Sequence, residues 1–169
     1  MNALGRHERV GEETERRTMK PGTLRLDQIL LAFTGEMDRH TTGGPASDRD
    51  LRRLEASIGH RLPPSLRAFL LHLGGGLFFN GHEIFGAQRV MIHDIELVPD
   101  IISMRDWLAR TRDLREGLIP FHRARGVIHV LDLRSNDANE RVSCLDGPDD
   151  YPNLAGFLET VVLPRRPVF

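Results

Sequence analysis

SDRDLRRLEASIGHRLPPSLRAFLLHLGGG, residues 47–76, reads as two short amphipathic helices hinged on Leu62-Pro63-Pro64 and stopped by three glycines. In the first helix Leu51, Leu54 and Ile58 stand at i, i+3 and i+7. Ser47 is its N-cap, Asp50 follows three residues on, and Gly59 lies past its end. In the second, Leu66, Phe69, Leu70 and Leu73 repeat i, i+3, i+4, i+7, and Pro64 takes the first helical position, where a missing N–H costs least. Two apolar stripes therefore face one core. The informative residues are packing and punctuation residues, which define a fold before they define a chemistry.

Upstream, Leu26, Ile29, Leu30, Phe33 and Met37 form the apolar face of a third helix running from Thr23. His40 and Thr41 break its period, and Gly43-Gly44-Pro45 ends it. Residues 1–22 are polar, of mixed charge and without apolar period, so they are expected to be a disordered leader. Downstream, Leu77 to Phe85 carries Asn80-Gly81 between apolar runs, a strong hairpin signal. A helix is expected within Val98–Arg112, with Ile101, Ile102, Met104, Trp107 and Leu108 facing the core and Pro99 confined to its start. Leu118–Phe121, Val127–Leu133 and Val142–Leu145 read as strands, and Asn153 caps a last helix carrying Leu154, Phe157, Leu158 and Val161. Helices, then a meander, then a closing helix give an α+β single domain over 23–163, its antiparallel sheet covered on one face by helices. Residues 164–169, containing Pro164-Arg-Arg-Pro167, are a short exposed tail.

The chain has 169 residues, 40% of them hydrophobic, enough for one modest core. Its formal net charge is -1, and Arg and acidic residues interleave along it, unlike the concentrated basic face of a nucleic-acid reader. Lys20 is the one lysine among 23 basic residues, a bias associated with GC-rich bacterial genomes. A single cysteine, Cys144, excludes an intramolecular disulfide, and its alternating context Val142-Ser-Cys-Leu makes it a small buried residue instead of a nucleophile. The N-terminus has no apolar h-region and no run approaches a bilayer span, so a soluble cytoplasmic protein is expected.

The 47–76 stretch resembles the start of the SUKH domain (the Smi/Knr type): helix, acidic residue, Leu-Gly, Leu-Pro, then a helix ending at glycines. Here the pattern is carried by Leu54-Glu55, Ile58-Gly59, Leu62-Pro63, Phe69-Leu70 and Gly74-Gly75. Gly126-Val-Ile-His-Val-Leu-Asp132 is similar to the family's glycine, strand, Leu-Asp element. Arg141-Val-Ser-Cys-Leu-Asp146 is similar to its next strand, and Leu154 to Leu158 to its closing helix. Leu66 stands where an aromatic residue is common, Leu73 replaces an Asn and Val127 a frequent acidic residue. The resemblance covers residues 47–162 and implies a non-enzymatic protein-binding domain. The resemblance further implies immunity as the role, since many bacterial members of the family look like immunity proteins that neutralise a toxin domain, often a nuclease. The alternative it implies is a regulatory or scaffold interaction module.

Chemistry is sparse. The triple glycine follows a helix instead of opening one, so it is a stop with a turn and no phosphate cradle. His82, Glu83, His93, Asp94 and Glu96 can be assembled on paper into a metal site, but no ligand spacing supports it and the hairpin turn splays His82 toward solvent. His129 and Asp132, three apart on a strand, fall on opposite faces and cannot act as a base and its orienting carboxylate. Ser57, Ser135 and Ser143 have no nucleophile context. No catalytic residue, metal or cofactor is assigned. The candidate partner-binding residues are Asp146, Asp149, Asp150 and Tyr151, a turn whose carboxylates repel one another unless solvated or matched by a cationic partner.

Overall fold

A computed structural model of the chain describes residues 24–79, 81–134 and 140–163. The expected leader and tail lie outside the described residues. The two-helix stretch folds as its punctuation dictates. Helix α1 (Leu26–Thr34) precedes α2 (Asp48–Ile58), which opens on Ser47. The Ser47 hydroxyl accepts the Asp50 N–H at 3.1 Å and the Asp50 carboxylate accepts the Ser47 N–H at 3.2 Å, satisfying two helix-start donors reciprocally. Gly59 closes α2 in the left-handed region, φ 75°. Helix α3 (Pro64–His72) starts on Pro64, and the N–H of Ser65 donates to Glu140 at 2.8 Å.

Glu55 holds the hinge between these helices. Its Oε1 accepts both the Leu62 N–H and an Arg67 N–H at 3.1 Å, and Arg67 reaches on to Asp48 at 2.6 Å. One carboxylate thus joins α2, the Leu62-Pro63 hinge and α3.

Helix α1 is shorter than its apolar pattern suggests, ending at Thr34 well before Gly43. His40 explains the break. Its Nε2 donates to the Phe33 carbonyl at 3.1 Å, its Nδ1 accepts the Phe79 N–H at 3.4 Å, and its ring lies 4.9 Å from that of Phe78. The polar residues that interrupt the helix period are instead strand residues.

Among the described residues the strands are β1 (His40–Thr42), β2 (Gly76–Phe78), β3 (His82–Ile84), β4 (Val90–Ile92), β5 (Ile95–Val98), β6 (Leu118–Ala124), β7 (Val127–Asp132), β8 (Val142–Cys144) and β9 (Asp150–Tyr151). Seven of them form one antiparallel sheet in the order β1-β2-β3-β6-β7-β8-β9, a meander in chain order from which β4 and β5 are set aside as a separate hairpin. Helix α4 (Ile101–Thr111) packs against β6 and α2. Helix α5 (Leu154–Phe157), capped by Asn153 accepting the Gly156 N–H at 2.7 Å, runs into a π-helical turn, Leu158–Val162. The fold is therefore α+β, as the pattern predicts. The β4–β5 hairpin was not legible as strands.

Ile119–His122 and Ile128–Leu131 are buried without alternation, so both faces of the sheet centre are covered and not one alone. The core brings Phe33 of α1, Phe69 of α3 and Phe78 of β2 into mutual edge contact at ring separations of 5.4–5.6 Å. Trp107 is a correction: the buried stripe of α4 is Ile101, Met104 and Leu108, and Trp107 flanks it, 42% exposed. The triple glycine is more than a stop. A Cβ on Gly75 would lie 2.5 Å from the Gly86 nitrogen and one on Gly76 would strike the Thr41 carbonyl, so these glycines admit two neighbouring backbones.

Candidate functional site

The site begins with an irregularity in β6. Pro120 pairs with Val130 and His122 pairs directly with His129, leaving Phe121 as the extra residue of a β-bulge. In a regular strand Leu118 and His122, four apart, would share a face. With the bulge they do not. Leu118 lines one cleft with Val130 and Asp132, whereas His122 lines another with Val127 and His129.

The bulge places His122 between two other imidazoles. His122 Nε2 is 3.0 Å from His82 Nδ1 on β3, and His122 Nδ1 is 3.1 Å from His129 Nδ1 on β7. Three histidines from three adjacent strands form a hydrogen-bonded row across the sheet. His122 is fully buried and His129 is buried beside it; Phe157 of α5 lies over both, its ring 5.0 and 4.7 Å from theirs. His82, expected to splay toward solvent, is half-buried and stacked on His122.

Burial disfavours charge on every ring. It drives His122 down to about 2, helped by its two imidazole neighbours, and lowers His82 together with the nearby Arg125. His129 is also lowered by burial, against the opposing pull of Asp149. The row is neutral near pH 7. It edges a cleft of about 740 Å³ that Asp149, Tyr151 and Arg125 also line.

A second cleft of about 550 Å³, lined by Arg112, Val130, Arg141 and Ser143, lies on the opposite face of the sheet. Residues 146–150 are all exposed. Asp146 is ion-paired with Arg112 after α4, and Asp150 with Arg141, whose Nε lies 2.6 Å from it. The cations matching two of the three carboxylates thus come from the chain itself, and the Arg141 bond holds Asp150 below the usual carboxylate range. Asp149 makes no ion pair with another described residue; its charge acts on His129 and on Tyr151, whose hydroxyl burial pushes up first and Asp149 second. The turn is anchored at both ends and presents Asp149 between them.

The residues considered as metal ligands are not brought together. Glu83 accepts two bonds from Arg123, at 2.9 and 2.5 Å, while His93, Asp94 and Glu96 belong to the separate β4–β5 hairpin. The histidine row bonds through both sides of one ring, so its nitrogens share no centre, and among the described residues no group of three or more His, Cys, Asp or Glu could hold a metal ion. His129 and Asp132 do fall on opposite faces, as their spacing requires. Cys144 is half-buried and not in the core, on a strand near the sheet edge where it pairs directly with His129. Ser57 and Ser143 spend their hydroxyls on the Arg53 carbonyl and Asp150; Ser135 lies outside the described residues.

The row itself was missed in the sequence. Its signal was a histidine inside each of two buried strands, in Pro120-Phe-His122 and Val127-Ile-His-Val130, where an unpartnered imidazole would be costly.

No described helix is long and apolar enough to cross a membrane. Among curated proteins the comparison found no match. The family described as SMI1 / KNR4 family (SUKH-1) matches residues 45–160, from just before the Ser47 cap into the π-helical turn. That span takes in the Glu55 hinge, the sheet from β2 to β9, the histidine row and the carboxylate turn, and the chain belongs to the SMI1 / KNR4 (SUKH-1) family.

Proposed function

We propose that this chain is a non-enzymatic, cytoplasmic protein-binding domain of bacterial origin whose role is immunity: it neutralises a cognate toxin domain by stoichiometric association. The observation that carries the reading is the anchored turn Asp146–Asp150. Arg112 and Arg141 fix its two ends, so the exposed Asp149 is held in place before a partner arrives, and preorganisation lowers the entropic cost of binding. A carboxylate presented this way suits the basic surface with which a nuclease holds phosphates. Tyr151, seated against Phe157 at 5.1 Å, supplies an aromatic edge beside it. Family membership supports protein binding as the general activity.

The test is to find a toxin domain encoded beside this chain and co-express the two. Growth rescue supports immunity, and failure of rescue with the folded protein present removes it. Replacing Asp146, Asp149 and Asp150 by Asn should slow association and flatten its salt dependence, because peripheral charges steer encounter more than they hold a complex. Rescue with unchanged association kinetics in that variant moves the contact surface elsewhere, with the exposed Trp107 and the Met91, Ile92 and Ile95 side chains of the β4–β5 hairpin next to be tried.

A further inference from the structure

The row His82–His122–His129 has a property that its hydrogen-bond count imposes. Each N···N contact needs one proton, and each neutral imidazole has one N–H. His122 uses both nitrogens within the row, so it can donate in one direction only and must accept from the other. Two arrangements satisfy both contacts. In one, protons point from His82 toward His129; in the other they all point back.

The fixed charges at the two ends select between them. Arg125 acts on the His82 end and Asp149 on the His129 end, and both face the same cleft. A cation favours a bare nitrogen lone pair toward itself, and an anion favours an N–H. Both charges therefore polarise the row in one sense. His82 Nδ1–H donates to His122 Nε2, His122 Nδ1–H donates to His129 Nδ1, and His129 keeps its Nε2–H. The remaining neighbours do not oppose this: α5 and the π-helical turn contribute Phe157 and Val161, and β8 and β9 contribute Cys144 and Tyr151.

We propose that the row is a proton relay which takes up a proton at His82 and delivers its charge to His129 beside the Asp149 turn, making that turn sensitive to pH. The step balances ring by ring. A proton from solvent bonds to His82 Nε2, and the His82 Nδ1 proton passes to His122 Nε2. The His122 Nδ1 proton then passes to His129 Nδ1. His82 and His122 end neutral with their tautomers exchanged, and His129 ends as the imidazolium. That charge offsets Asp149, so a cationic partner surface is held less well as pH falls. This last consequence rests on the binding reading above; the relay does not.

The test needs no partner. Two-bond nitrogen–proton NMR correlation of the histidine rings, from pH 7.5 downward, reads tautomer and charge for each ring. At pH 7.5 the relay requires Nδ1–H on His82 and His122 and Nε2–H on His129. As pH falls, His82 should switch tautomer in step with the appearance of imidazolium at His129. Asp149→Asn, an exposed change that leaves the packing intact, should shift the His129 step to lower pH. In His122→Phe the His82 switch should vanish. A His82 ring that becomes imidazolium with no tautomer change, or a His129 step unmoved in Asp149→Asn, overturns the relay, whatever the outcome of the toxin experiment.

Discussion

Phe69→Ala tests the core on which the whole arrangement rests. Phe69 is 1% exposed and sits where α1, α3 and β2 meet, its ring edge-on to Phe33 at 5.4 Å and to Phe78 at 5.6 Å. Truncating a buried phenylalanine costs about 3–5 kcal/mol, combining lost transfer energy with the cavity left behind. Each aromatic edge contact adds about 0.5–1.5 kcal/mol beyond area, and two are lost, so the upper half of that range is expected. The cavity walls belong to two helices and a strand and cannot easily collapse. At about 3 °C per kcal/mol for a domain of this size, that upper half means a fall in melting temperature of roughly 12–15 °C. Denaturant and thermal unfolding followed by circular dichroism would measure this, with Leu71→Ala as the control. Leu71 lies on the same helix but is 37% exposed, and its truncation should cost less than about 1 kcal/mol. Equal losses in the two variants, or a Phe69→Ala protein as stable as the parent, would refute the assignment of this face to the core.

The glycines separate close approach from conformational preference. Gly75→Ala should prevent folding, because its Cβ meets the Gly86 backbone at 2.5 Å, whereas Gly126→Ala, at φ 80° in open space, should cost only about 1–2 kcal/mol on unfolding in urea. Glu55→Ala leaves the Leu62 N–H and Arg67 without their shared acceptor and should cost about 1.5–3 kcal/mol by the same measurement. Stability should also fall as pH drops below 6.5, the ordinary value from which His122 is lowered to about 2. In that window the unfolded chain binds a proton that the folded ring refuses, so the loss is about 1.4 kcal/mol per pH unit for His122 alone, and it is recovered as pH rises again. Urea midpoints at pH 7 and pH 5.5 would show it, and His122→Gln should flatten the slope.

Legibility in the sequence followed the range of the interactions. Ser47, Gly59 and Pro64 act within a turn of helix, so their roles could be read from spacing alone, as could the antiparallel pairing of β2 with β3 and the Asn153 cap. His40 looked like a helix breaker because its partners, Phe33 and Phe79, come from elements that only the fold brings together. The carboxylate turn was visible as a run of like charge. Its anchoring was not, since Arg112 is 34 residues from Asp146. The histidine row depended on a bulge, which turns one residue of β6 without marking the sequence. Triple glycine illustrates the same limit: a helix stop is local, but the approach of Gly86 and Thr41 is not.

Titration calorimetry of the purified chain against a toxin domain of the kind proposed above as its partner tests the binding role most directly. The account predicts a saturable one-to-one complex at micromolar concentration or tighter, with weaker attachment at higher salt. It also predicts slower association for the chain carrying Asn at positions 146, 149 and 150. Absence of binding at micromolar concentrations by a folded chain would contradict it.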